Sequence, residues 1–170
     1  MGILSGNPQN EPLHYGEVFG AWGYLLAAKG MVAGYQTFSN HTGDGDLKRL
    51  ISEAIQGLKQ EIEQTEELLK VNGVGLPPSP PERPQADLES IPVGARFNDP
   101  EISASISKDI AQGLIACSQI IGQSIREDVA LMFGQFLTAK LLLGAKFLRL
   151  NKDKGWLIPP PLHLHSAEKE

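Results

Sequence analysis

Apolar residues recur with the helical period in four long segments of the chain. The clearest segment covers residues 44–72, where one face is apolar and the opposite face is charged and mainly acidic. Asp44 or Asp46 is expected to cap this second helix, and Gly73 is expected to end it. Its apolar line consists of Leu47, Leu50, Ile51, Ala54, Ile55, Leu58, Ile62, Thr65 and Leu69.

The same criterion predicts the other three helices at about residues 12–39, 99–123 and 127–151. Asn10 or Glu11 is the expected cap of the first helix, and Asn98 or Asp99 begins the third. Helices 1 and 4 are apolar over a wider arc than a four-helix bundle can cover, so we expect a homodimer that forms through helices 1 and 4.

Glycine is frequent in the first helix, at positions 16, 20, 23, 30 and 34. Each glycine costs a helix about 1 kcal/mol relative to alanine, so a compensating interaction is expected. Close approach of a neighbouring helix is the simplest such interaction. A pocket for a small ligand between this helix and its neighbours is the alternative.

Two helix endings in the chain share one pattern. Gly73-Val-Gly-Leu-Pro77-Pro78 and Gly155-Trp-Leu-Ile-Pro159-Pro160 lie 82 positions apart, and the same offset places Asp46 on Asp128. This pattern predicts an internal repeat in which each half is one helical hairpin. Trp156 is expected to pack back on the end of the bundle, as Val74 would in the first half; a partner-binding role for Trp156 is the alternative.

The segment 73–98 is rich in proline and lacks a helical period, so it is an extended crossover. Its length is sufficient to run from one end of a bundle to the other. Two hairpins joined by one long crossover define an all-α, ferritin-like four-helix bundle. We therefore predict a single domain over residues 1–170 with an extended tail at 156–170.

Charge and composition exclude several classes of function. The net charge of −5 argues against a nucleic-acid partner, which normally requires a basic surface. The single Cys117 cannot form an intramolecular disulfide, and the N-terminal residues do not resemble a secretion signal, so an intracellular protein is expected. Residues 18–38 and 131–150 are apolar but contain lysine or arginine, which argues against membrane helices.

The sequence does not supply the ligands of a ferritin-like dinuclear metal site. Such sites use a Glu from each of two helices and Glu-x-x-His from the other two. Helix 2 offers Glu53-x-x-Gln56, and helix 4 contains no Glu or His within 129–151. We accordingly assign no catalytic, cofactor-binding or metal-binding residues and expect no cofactor. The alternative is a degenerate metal site built from His14, Glu17, Glu66 and Glu53.

Two other residue types with metal or nucleophile chemistry have simpler interpretations. His163-x-His165 lies in the tail and is interpreted as a pair without a metal. Cys117 lies on the apolar line of helix 3 without a histidine nearby in sequence, so it is interpreted as a core thiol.

The proline-rich endings resemble those of a known family. Leu68-Leu-Lys-Val-Asn-Gly73, followed by Leu76-Pro-Pro-Ser-Pro-Pro81, and Lys154-Gly-Trp-Leu-Ile-Pro-Pro-Pro161 are similar to segments of uncharacterised proteins from endospore-forming bacteria that are related to spore coat protein F. The resemblance covers roughly residues 12–161. It implies a ferritin-like bundle, a non-enzymatic structural or interaction role, a location at the forespore surface or in the spore coat, and other coat proteins as partners.

Overall fold

Four long α-helices make up most of the part of the chain that the structure, a computed structural model, describes, which is residues 11–163. The helices are α1 (Tyr15–His41), α2 (Gly45–Val71), α3 (Asp99–Gln123) and α4 (Glu127–Asp153). Two single turns of 3₁₀ helix, Leu88–Ser90 and Val93–Ala95, lie between α2 and α3. Residues 11–163 contain no β-strand. Asn10, His165 and the end of the predicted tail lie outside the described residues.

The helices form two antiparallel hairpins, α1–α2 and α3–α4, which pack on each other through α1 with α3 and α2 with α4. At one end of the bundle, the hydroxyl of Thr42 donates a hydrogen bond of 2.6 Å to Asp99. At the other end, the main-chain N–H of Ile125 donates to Glu17 at 2.9 Å. This arrangement confirms the predicted ferritin-like four-helix bundle and places α1 and α4 on diagonal corners.

The crossover runs along the length of α1 between the two ends of the bundle. Side chains spaced along one face of α1 form hydrogen bonds with the main chain of the crossover. The pairs are Trp22 with Gly75 (2.9 Å), Lys29 with Pro77 (2.7 Å), Gln36 with Arg83 (2.9 Å) and Asn40 with Ala86 (3.1 Å). These bonds explain how a segment without an α-helix is held in one path.

The two proline-flanked helix endings have the same conformation. Gly73 and Gly155 adopt φ values of +73° and +69°, as the sequence predicted, because glycine enters the left-handed region without steric cost. The main-chain N–H of Val74 donates to Leu69, and that of Trp156 donates to Asn151, both at 2.9 Å. Val74 and Trp156 each pack against the core, as expected.

The helix starts agree with the sequence for α2 and α3 but not for α1. Asp44 caps α2, and Asn98 caps α3 in a reciprocal capping box with Glu101. The predicted cap of α1 at Asn10 or Glu11 was wrong, because α1 begins at Tyr15 and its cap is the side chain of His14. His14 Nδ1 accepts a hydrogen bond of 2.9 Å from the N–H of Gly16.

Close helix approach explains only one of the glycines that the sequence singled out. A Cβ on Gly20 would lie 3.0 Å from Ile120 on α3, so glycine is needed for that contact. A Cβ on Gly16 would meet only the ring of its own cap, His14. At Gly23, Gly30 and Gly34 a Cβ would meet no atom of the described part of the chain within 4 Å, so the prediction of close packing was wrong at these three positions.

The outer face of α4 is apolar and largely uncovered. Within residues 11–163, α4 is the one helix long and apolar enough to cross a membrane by length and composition, and 17% of its most apolar window is buried. On α1, Tyr15 and Phe19 are 95% and 80% exposed, so the broad apolar arcs of helices 1 and 4 noted in the sequence do reach the surface.

Candidate functional site: a buried polar cluster and the cavities beside it

An ion pair lies in the interior of the bundle between two apolar core clusters. Lys140 of α4 and Glu61 of α2 are 9% and 6% exposed, and Lys140 Nζ lies 2.8 Å from Glu61 Oε2. Both residues lie on the inward line of their helix, that is, on the row of residues that faces the interior of the bundle. In α2 the line passes through Leu58, Glu61 and Thr65, and the Thr65 hydroxyl bonds back to the Glu61 carbonyl at 2.7 Å.

The other two helices complete this polar cluster, so each helix contributes one residue. The hydroxyl of Tyr24 on α1 donates to Glu61 Oε2 at 2.8 Å, and the Tyr24 ring centroid lies 5.5 Å from Lys140 Nζ. The thiol of Cys117 on α3 lies 3.8 Å from the Tyr24 oxygen. The four residues form one connected unit in which the ammonium also gains a cation–π contact.

Burial determines the protonation states of the two weak acids in the cluster. Burial raises the pKa of the Tyr24 phenol above its ordinary value, and the nearby Glu61 charge raises it further. Burial also raises the pKa of the Cys117 thiol. Tyr24 therefore remains a neutral donor, and Cys117 is a buried thiol of the core, as the sequence predicted.

Glycine on α3 makes room for the lysine side chain. A Cβ on Gly113 would lie 2.8 Å from Lys140 Cδ and 3.0 Å from Cε. The middle of the lysine chain cannot retreat easily, because its ammonium is held by Glu61. Gly113 thus allows the Lys140 side chain to pack closely against α3 and reach Glu61 at the centre of the bundle.

The cluster does not fit the metal ions that ferritin-like bundles hold. Those sites depend on several carboxylates and histidines from all four helices. Here the one carboxylate, Glu61, already binds the Lys140 ammonium and accepts a second hydrogen bond from the Tyr24 phenol. The positive charge of Lys140 also opposes the binding of a cation. No group of three or more His, Cys, Asp or Glu side chains within residues 11–163 is arranged to hold a metal.

Of the residues of the alternative metal site, only His14 and Glu17 lie close together, with 3.8 Å between His14 Nε2 and Glu17 Oε2. Glu17 is 1% exposed and accepts hydrogen bonds from the main-chain N–H groups of His14, Ile125 and Arg126 at 2.9–3.1 Å. It fixes the start of α4, so its oxygens are already used. His14 caps α1 and its Nε2 lies 2.9 Å from the carbonyl oxygen of Gln123.

The other two carboxylates proposed for that site form separate ion pairs. Glu66 lies 2.8 Å from Lys29, and hydrogen bonding from Lys29 lowers the pKa of Glu66. Glu53 forms a surface ion pair with Lys146. His163 lies near the end of the described chain, and its predicted companion His165 lies beyond it.

Sequence reasoning did not identify Glu61 and Lys140 as central, although the chain contains a signal. Glu61 interrupts the inward line of α2 at the spacing of Leu58 and Thr65, and Lys140 interrupts the line of Phe133 and Phe136. Two opposite charges on inward lines of different helices indicate a buried pair, because an isolated buried charge is too costly.

Two cavities flank the polar cluster, one in each seam between the hairpins. A groove of about 470 Å³ lies between α1 and α3, and a cavity of about 250 Å³ lies on the side of α2 and α4. Met31, Leu58 and Lys140 line both. The centre of the bundle is thus approached from two sides with different chemical linings.

A ferritin-like bundle whose centre holds a lysine–glutamate pair is the class of protein that this fold and site define. Residues 1–168 match the model of the family described as "Protein of unknown function (DUF3231)", and the chain belongs to that family. This finding, together with the relatives below, confirms the resemblance inferred from the proline-rich endings.

Two relatives cover nearly the whole chain. The chain is 60% identical over 164 residues to "Uncharacterized protein YvdQ" of Bacillus subtilis (strain 168), with 96% of each protein covered. It is also similar to a crystal structure of a "putative spore coat protein" from Bacillus halodurans C-125, with a TM-score of 0.92 and 69% identity over 93% of this chain and 99% of the other.

Proposed function

We propose that this chain is a non-enzymatic structural protein that assembles through its apolar outer faces at the forespore surface or in the spore coat. The B. halodurans relative named above supports the location. The ion pair at the bundle centre supports a structural role, because Glu61 binds both Tyr24 and Lys140 and links three helices. The proposal does not require a cofactor.

The observation that carries the proposal is the lack of charge on one side of the molecule. Between residues 129 and 145 of α4 the only charged side chain is Lys140, and it points inward to Glu61. Residues 110–125, mostly in the neighbouring α3, contain no charged residue. Exposed apolar side chains on these surfaces are Ile115, Leu131, Leu141, Leu142 and Leu148. An apolar surface of this kind typically binds another protein surface.

A second apolar face lies on the diagonal corner of the bundle, where Tyr15 and Phe19 of α1 are exposed. An interface with two-fold symmetry uses the same patch on both copies and is complete in a dimer. One patch on α4 and another on α1 would therefore form a dimer and then link dimers into a larger assembly. The sequence led us to expect one homodimer contact through helices 1 and 4, whereas in this proposal each of the two helices forms a contact of its own. An extended assembly of this kind is compatible with a layer such as the spore coat.

Assembly is tested by adding charge to each face separately. Leu142→Glu and Phe19→Glu should each yield a smaller assembly than the wild type in light scattering coupled to size exclusion, and the double variant should be monomeric. Gln60→Glu, on the exposed charged side of α2, is the matched control and should assemble normally. A monomeric wild type at the highest soluble concentration would contradict the proposal, as would flotation of that monomer with lipid vesicles.

Location is tested with a fluorescent fusion followed from vegetative growth to the mature spore in the source organism. A shell of fluorescence around the forespore is expected for the wild type, and a weaker or diffuse signal for the double variant. Diffuse fluorescence of the wild type throughout growth and sporulation would refute a place in the coat.

A further inference from the structure

We propose that the groove between α1 and α3 binds a medium-chain aliphatic carboxylate, with its tail along the glycine-rich side of α1 and its head group at Lys140. This inference gives the chain a ligand that the structural role does not require, although the groove shares Phe19 with the α1 face proposed for assembly. It rests on the shape of the groove, on the identity of its charged residue and on the glycines of α1.

The groove has the size and lining of a small-molecule site. Its volume of about 470 Å³ falls within the usual range for ligand pockets, roughly 300–1,000 Å³. Gly16, Gly20, Gly23 and Ala27 form a strip of backbone and methyl groups in the α1 wall, and larger side chains of α1, Phe19, Tyr24 and Met31, border this strip. A narrow apolar chain fits such a wall better than a bulky ring system.

Gly23 in particular lacks a structural explanation other than the groove. A Cβ at this position would meet no atom of residues 11–163 within 4 Å, although glycine costs a helix interior about 1 kcal/mol relative to alanine. Gly23 borders the groove and keeps it open. A bound chain in van der Waals contact with this wall would offset the cost of glycine.

The charges around the two cavities select an anionic head group for the groove. Among residues 11–163, Lys140 is the only charged residue that lines the groove. Its partner Glu61 lines the opposite cavity, together with Glu53 and Asp109. A molecule entering between α1 and α3 therefore meets Lys140 with no carboxylate among the described lining residues, whereas in the other cavity Lys140 is accompanied by carboxylates.

The hydrogen-bonding capacity of Lys140 fits an acceptor in the groove. An ammonium group has three N–H donors, and one of them is directed at Glu61 Oε2. The Tyr24 hydroxyl donates to the same oxygen, so Glu61 remains the counter-ion when a second acceptor approaches Lys140. Gln112, Gln119 and Gln123 also line the groove and add uncharged amides that can donate to a carboxylate.

Calorimetric titration of the full chain with decanoate and with decylamine, both below their micellar concentrations, tests the head-group selection. Decanoate should bind in a 1:1 ratio at least tenfold more tightly than decylamine, because the ammonium of Lys140 attracts one head group and repels the other. Equal affinity for the two amphiphiles, or binding of neither, would overturn the proposal.

Matched glycine variants on one helix test the place of binding. Gly23→Leu fills the groove and should weaken decanoate binding at least tenfold, whereas Gly30→Leu lies outside the groove lining, introduces the same side chain into open space and should bind as the wild type does. Equal affinities of the two variants would overturn the proposal. Light scattering on the same samples measures assembly. If decanoate binding were lost when the chain assembles, the proposal would also be overturned, because a second copy of the chain would then cover the groove.

Discussion

Glu17 accepts a hydrogen bond of 3.0 Å from the main-chain N–H of Arg126, although the two residues are 109 positions apart. Arg126 is the N-cap residue of α4 and its own side chain does not cap the helix. The carboxylate of α1 therefore supplies the cap that α4 lacks, and it does so at the positive end of the α4 dipole. The first and last helices are coupled through one buried side chain.

Replacement of Glu17 by alanine should destabilise the bundle, because it leaves the buried N–H of Arg126 and its neighbour Ile125 without an acceptor. Unpaired buried donors of this kind cost about 1–3 kcal/mol each, so we expect a loss of about 2–4 kcal/mol in the free energy of unfolding. Urea denaturation followed by circular dichroism measures it. Glu63→Ala, on the exposed face of α2, should change the free energy by less than about 0.5 kcal/mol. A similar small change for Glu17→Ala would show that the cap is energetically unimportant.

Lys140 and Glu61 should be strongly coupled in a double-mutant cycle. Lys140→Met or Glu61→Met alone leaves a buried charge without its partner and should cost about 3–5 kcal/mol. The double variant should lose much less than the sum of the single variants, because two apolar side chains do not carry the desolvation cost. The exposed pair Lys146 and Glu53 provides the comparison, with a coupling of about 0–1 kcal/mol. Additive losses at Lys140 and Glu61 would contradict a direct interaction.

Acid should remove the contribution of Glu66 to stability. Lys29 lowers the pKa of Glu66 in the folded chain, so the stabilisation is complete above the ordinary glutamate pKa of about 4.3 and is lost as the pH falls through the lower folded value. Glu66→Gln should therefore be less stable than the wild type at pH 7, and the difference should shrink below about pH 4. Urea denaturation at pH 7, 5, 4 and 3 measures this, with Glu63→Gln as the control. A difference that stays constant down to pH 3 would contradict the assignment.

The fold could be predicted from the sequence because its signals are local. Gly73 and Gly155 end their helices, Asn98 with Glu101 begins α3, and the proline-rich segment excludes a helix between the hairpins. Each of these signals acts over a few residues, so it can be read without knowing the tertiary structure.

The polar centre could not be predicted in the same way because its contacts are long-range. Glu61 and Lys140 are 79 positions apart, and each taken alone resembles a surface residue. The role of Glu17 at the start of α4 was missed for the same reason, since it depends on the N–H groups of Ile125 and Arg126. The cap of α1 at His14 is a local contact, but it was missed because histidine is not among the preferred N-cap residues. The signal in the sequence for Glu61 and Lys140 was that each charged residue lies among the apolar residues on the interior side of its helix.

The path of the crossover should depend on amide side chains that protrude from α1. Asn40 Oδ1 accepts a hydrogen bond from the N–H of Ala86 at 3.1 Å, and Gln36 Oε1 accepts one from the N–H of Arg83 at 2.9 Å. Asn40→Ala should accelerate hydrogen exchange at the Ala86 amide, whereas Gln36→Ala should accelerate it at the Arg83 amide.

Residue-resolved hydrogen exchange by NMR measures both amides in the same sample, so each variant serves as the control for the other. Both substitutions lie on the partly exposed side of α1 and leave its inward line unchanged, so global unfolding should contribute little to the difference. Equal acceleration at both amides in each variant would show that the crossover detaches as one unit. Because each hydrogen bond holds a separate short stretch of proline-rich chain, we expect local release at one amide and protection at the other.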